Sequence, residues 1–97
     1  MATYLLLCNW TDQGVRNLKE APQRRQRAVE MAQRFGCEIK GVFLTMGPYD
    51  LVLRVEAPDN EAIARMLLSI GTQGNLRTTT MKAFPAEDFE RLLGALG

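Results

Sequence analysis

Apolar residues fall at both parities of the first segment, Tyr4-Leu5-Leu6-Leu7-Cys8, which predicts a strand from Thr3 to about Cys8. A loop carrying Asn9 and Trp10 follows, and Thr11 is placed to cap a short turn of helix. With Thr11 as the N-cap, Trp10 stands at N′ and Val15 at N4, the spacing of a hydrophobic staple. The period then changes. Pro22 suits a helix start, Ala28, Met31, Ala32 and Phe35 recur at i, i+3, i+4 and i+7, and Gly36 suits the position just past the end. Glu38 to Met46 and Tyr49 to Glu56 read as strands joined by a tight Gly47-Pro48 turn. Pro58-Asp59-Asn60 breaks the pattern and starts a helix with the stripe Ile63, Met66, Leu67 and Ile70, closed by Gly71. Gly74-Asn75 turns into a last strand, Leu76 to Phe84. After Pro85 a terminal helix has Glu87 and Asp88 in its first turn and Phe89, Leu92, Leu93 and Leu96 on one side.

The order β-α-β-β-α-β plus a helix predicts an α+β, ferredoxin-like antiparallel sheet in one domain spanning residues 1–97. Both main helices of that arrangement lie on one sheet face, and the other is bare unless something covers it. A strand with one wet face alternates, whereas Leu5 and Leu7 stand against Tyr4, Leu6 and Cys8, and Ile39 and Phe43 against Val42, Leu44 and Met46. Two-sided apolar strands imply cover on the second face, to which Leu6 and Val42 are assigned. A second copy of the chain, sheet to sheet, is the simplest cover. With Leu51, Leu53 and Val55 toward the helices, Asp50, Val52, Arg54 and Glu56 point into the interior between the sheets.

Composition narrows the function classes. The chain has 97 residues, 12 Lys plus Arg against 11 Asp plus Glu, a net charge of +1, and no histidine. Near-zero net charge gives no general attraction to nucleic acid or to an anionic membrane, and neither is expected as a partner. Without histidine this chain supplies no imidazole base, no Ser-His pair and no His-ligated metal. Two cysteines, Cys8 and Cys37, are too few for a disulfide scaffold or a four-ligand zinc site. No metal or cofactor is expected. The amino-terminal apolar run lacks a basic flank and falls short of a signal segment, so a cytoplasmic, soluble protein is expected.

Asn9-Trp10-Thr11-Asp12-Gln13-Gly14, Thr45-Met46-Gly47-Pro48-Tyr49-Asp50 and Gly74-Asn75-Leu76-Arg77-Thr78 occur in that order. Together they resemble the GYD-domain family over essentially the whole chain. The resemblance implies a ferredoxin-like subunit of a dimeric α/β barrel, in a superfamily that includes cofactor-free monooxygenases, small isomerases and ligand-binding domains of feast/famine-type regulators. It implies a homodimer, or a higher homo-oligomer, and no particular reaction.

The candidate ligand-binding residues are Trp10, Tyr49, Asp50, Arg54 and Arg77, grouped around the interior between two sheets. Mid-strand arginines on a buried face need a carboxylate or a ligand anion. Arg54 and Arg77 are therefore expected either to pair with Asp50 or Glu56, or together to hold a ligand's acidic group. Trp10 and Tyr49 offer aromatic surface, with staple and rim packing as their plain alternatives. Asp50 has a plain alternative too, accepting bonds from turn amides around Gly47. Arg24-Arg25-Gln26-Arg27 is a solvated face paired to Glu20 and Glu30, or else an anion patch. The leading function is a homodimeric sensor or carrier for a small apolar or aromatic molecule with an acidic group. The alternative is a cofactor-free oxygenase or isomerase acting on an activated aromatic or enolisable substrate. Acylphosphatase-like hydrolysis lacks its full phosphate loop, and a DNA-binding regulator lacks a helix-turn-helix.

Overall fold

The computed structural model describes all of residues 1–97. Its elements are β1 (Ala2–Trp10), α1 (Asp12–Arg16), a 3-10 turn (Leu18–Glu20), α2 (Ala21–Arg34), β2 (Glu38–Leu44), β3 (Leu51–Ala57), α3 (Asn60–Gln73), β4 (Leu76–Ala83) and α4 (Ala86–Gly94). The four strands form one sheet in the order β2-β3-β1-β4 with every pairing antiparallel, which is the ferredoxin-like α+β architecture. Local signals set most boundaries. Thr11 and Asp59 cap α1 and α3 by accepting from the amides of Gly14 and Ala62. Gly36, at φ +76°, follows α2 as the pattern requires. Gly71 does not end α3: the helix runs on to Gln73, because the left-handed residue that stops it is Gly74, at φ +78°. The Gly47-Pro48 turn is likewise wider than expected, since β2 stops at Leu44 and β3 starts at Leu51.

The core lies between the sheet and α2 and α3. Tyr4, Leu6 and Cys8 from β1 and Leu53, Val55 and Ala57 from β3 meet Met31 and Ala32 of α2 and Ala62, Ile63, Met66 and Ile70 of α3. Leu6 is fully buried there and pairs with Leu53, as does Val42. Both therefore belong to the helix side, not to the second face assigned to them from sequence. With apolar residues at both parities of β1, alternation cannot choose the face. The choice is made by β3, whose Leu53 and Val55 alternate with Arg54 and Glu56 and carry their cross-strand partners inward. A bulge between Ile39 and Gly41 adds a second cause: it inverts parity along β2, so Ile39 faces the helices and Phe43 the opposite side.

The bare face carries Leu5, Leu7, Val52, Phe43 and Met81, read from register: Leu7 opposes Val52 and Thr79, Leu5 opposes Arg54 and Met81, and Phe43 opposes Val52. The Phe43 ring lies against Gly41, 3.1 Å from where a β-carbon would stand. Helix α4 has no substantial packing against the core elements, and Phe89, Leu92, Leu93 and Leu96 are all exposed. The molecule accordingly measures 53 × 31 × 17 Å, with a radius of gyration of 14.6 Å against about 13 Å for a compact chain of this length. No helix is long and apolar enough to cross a membrane.

Candidate functional site

Three loops meet at the Trp10 end of the sheet, and backbone groups hold them together. Thr11 donates through its amide to the carbonyl of Asn75 (3.1 Å) and through its hydroxyl to that of Gly74 (2.5 Å), while Oγ1 accepts from the Gly14 amide (3.1 Å). Gln13 Nε2 donates to the Gln73 carbonyl (2.9 Å) and to Asn75 Oδ1 (3.1 Å). From the other side, Asp50 Oδ2 accepts from the Trp10 amide (3.0 Å), the Asp50 amide donates to the Cys8 carbonyl (2.9 Å), and Asn9 Nδ2 donates to the Pro48 carbonyl (2.9 Å). The loop closes on itself where Thr45 Oγ1 donates to the Tyr49 carbonyl (2.6 Å). These are the segments that carry the family resemblance, brought into one hydrogen-bonded junction around Trp10. Asp50 thus holds the end of β1, in place of the bond to amides near Gly47.

The junction positions the indole beside a cavity of about 220 Å³ between the helix side of the sheet and helices α2 and α3, walled by Cys8, Trp10, Met31, Leu53 and Ile70. Val15 is more than half exposed, and the indole presents itself to this cavity. Burial pushes the Cys8 thiol up to about 11 from 9.0, and burial, followed by the Asp59 carboxylate, raises Cys37 as well. Both are buried core residues rather than nucleophiles, and Cys8 also lines the cavity. The unfolded thiol of Cys8 ionises near 9 and the folded one near 11. Its contribution to stability is therefore whole below pH 9 and is lost as pH rises from 9 to 11, by at most about 2–3 kcal/mol. Denaturant melts should show wild type losing stability faster than Cys8→Ala across that window; parallel losses would contradict the assignment.

The other sequence-derived residues lie elsewhere. Arg54 sits on the bare face and pairs with Glu56 of its own strand at 3.2 Å, while Thr3 Oγ1 donates to both Glu56 oxygens (3.0 and 2.8 Å). Arg77 lies on the same face opposite Asn9, four residues along β1 from the Leu5 that opposes Arg54, roughly 13 Å at strand spacing. Arg77 forms no ion pair. The two arginines stand on strands separated by β1 and four residues apart in register, and Trp10 is on the opposite face from either. Tyr49 is half-buried in the loop. Arg24 and Arg25, with Gln73 and Asn75, supply the polar part of the cavity lining; the sequence offered the arginine cluster as an anion patch but not its placement beside Trp10. The expected pairing of this cluster with Glu20 and Glu30 is not formed: Glu30 accepts from Gln26 at 3.5 Å, and Arg24 donates to the Asn17 carbonyl. The available signal was cationic residues near the positive end of a helix with no acid in its first turn.

Solved structures share this sheet and its helices. MtbAldR superposes with a TM-score of 0.67 at 14% identity over 86% of this chain, which spans about half (51%) of that longer protein. FFRP-DM1 gives 0.62 at 20% identity, with 87% of this chain and 100% of that one covered. A Thermus thermophilus protein, TTHA0845, gives 0.55 at 26% identity over 89% of this chain and 96% of its own. Fold and junction thus define a ferredoxin-like α+β protein. Residues 4–93 match the GYD domain, and the chain belongs to the GYD-domain family. A relative in Thermus thermophilus is 34% identical over 89 residues, 91% of this chain and 94% of that protein, and is named glutamine synthetase and cystathionine beta-lyase binding protein.

Proposed function

We propose that this chain is a homodimeric binding module whose clients are enzymes, formed by two copies meeting through their bare sheet faces. The observation that carries this reading is the apolar row Leu5, Leu7, Val52, Phe43 and Met81 on a face no part of the subunit covers. An exposed apolar patch on a soluble domain is an interaction surface, and a self-complementary one closes as a two-fold dimer. Helix α4 supports it, since its apolar stripe stands off its own subunit and is free to pack on the partner. Arg54 is already paired with Glu56, so burying its end of the face strands no lone charge, while Arg77 at the other end, exposed and without a partner in its own subunit, needs water or a carboxylate of the second copy.

The relative named for binding glutamine synthetase and cystathionine beta-lyase supports an enzyme as client. The oxygenase or isomerase alternative has less to draw on, because the Asp50 carboxylate is tied to the Trp10 amide and holds the strand end. Calorimetric titration of the protein into purified glutamine synthetase and cystathionine beta-lyase from the same cells is the test. Saturable binding to at least one of them is the expected result. Two flat titrations with intact dimer would overturn the client assignment.

A further inference from the structure

A cavity lies beneath the N-terminal half of α2, whose small residues Ala21, Pro22 and Ala28 form part of its lining. At about 220 Å³ it exceeds the roughly 150 Å³ that suffices for benzene in an apolar protein interior. Its walls are apolar and one of them is the indole of Trp10, a flat surface suited to a ring. Its polar lining is cationic or neutral: Arg24, Arg25, Gln73 and Asn75, with no carboxylate. Arg25 makes no ion pair and sits near the positive end of α2, where a cation gains nothing from the helix. An anion at this position would relieve that unfavourable charge, and guanidinium groups suit a planar carboxylate.

From this juxtaposition we infer that each subunit binds a small aromatic carboxylate on the helix side of its sheet, the ring beside Trp10 and the carboxylate at Arg25 and Arg24. The site lies on the face opposite the proposed dimer contact, so the inference stands or falls separately from the assembly. The ligand class keeps the apolar body and acidic group expected from the sequence; Trp10 is retained, and Arg24 and Arg25 take the place of Arg54 and Arg77.

Trp10 is the chain's one tryptophan, so its emission reports on the cavity directly. Phenylacetate, titrated against its neutral isostere phenylacetamide, should shift Trp10 emission saturably, with half-saturation at about 1 mM or below and the amide at least tenfold weaker, as for loss of a charge-assisted bond. Arg25→Met should bring the acid down to the level of the amide without lowering the melting temperature, because this side chain is exposed. Ala28→Leu, which fills the cavity, should abolish both responses while the protein stays folded. No saturable change in wild type, equal affinity for acid and amide, or undiminished binding by Ala28→Leu would each overturn the site. Leu7→Asp protein, expected to be monomeric, should bind phenylacetate as wild type does.

Discussion

Replacing Gly14 with alanine should destabilise the protein by about 3 kcal/mol, more than a typical surface change in a five-residue helix. A β-carbon at Gly14 would stand 2.2 Å from the carbonyl oxygen of Asn75 and 3.3 Å from the indole. The oxygen is backbone, and it also accepts the Thr11 amide, so it has no rotamer by which to move away. Relief requires α1 to separate from the segment leading into β4, which breaks the bonds from Thr11 and Gln13 together. At about 4–8 °C per kcal/mol for a domain of this size, the melting temperature should fall by roughly 12–24 °C. A change of only about 2 °C would mean that the junction yields and does not hold Trp10 in place.

The second large effect separates the two faces of β1. Leu6→Asp buries an unpaired carboxylate among Leu53, Val55 and Met66, and should cost several kcal/mol, about 3–5, in any oligomeric state. Leu7→Asp places the same charge on the bare face, opposite Val52 and Thr79. The isolated subunit tolerates it, because Leu7 is only partly buried there, whereas two copies brought together by symmetry would set like charges against each other in an apolar contact. Circular dichroism should therefore find Leu6→Asp unfolded or nearly so and Leu7→Asp folded, with light scattering showing the latter as a monomer. The reverse pattern would return Leu6 to the open face.

Element order and helix stripes were legible because they depend on local period and punctuation. Ile63, Met66 and Ile70 are buried as their spacing requires, and Thr11 caps the turn it precedes. Which face of β1 is buried was not legible, because Leu5, Leu6 and Leu7 satisfy either choice until the register with Leu53 decides it. The β2 bulge hides similarly, since Lys40 carries no mark that distinguishes it from an ordinary alternating residue. At the site, the segments around Trp10, Asp50 and Asn75 were recognisable in the sequence. Their convergence is a long-range fact set by bonds such as Asp50 to the Trp10 amide. Arg54 is a mid-strand cation, whereas Arg77 stands only one residue inside β4, and their separation on the sheet depends on strand order. That Arg24 and Arg25 share a cavity lining with Trp10, Gln73 and Asn75 is a result of long-range packing, which helical spacing cannot reveal.

That two copies pair through the face bearing Leu5, Leu7, Val52, Phe43 and Met81 is tested most directly by the mass of the wild-type protein in solution, measured by light scattering on the eluting peak at micromolar concentration. The expected value is twice the 10.9 kDa of the chain, falling to the single-chain mass in Leu7→Asp. A wild-type mass of 10.9 kDa throughout that range, with α4 and the bare face left in water, would contradict it.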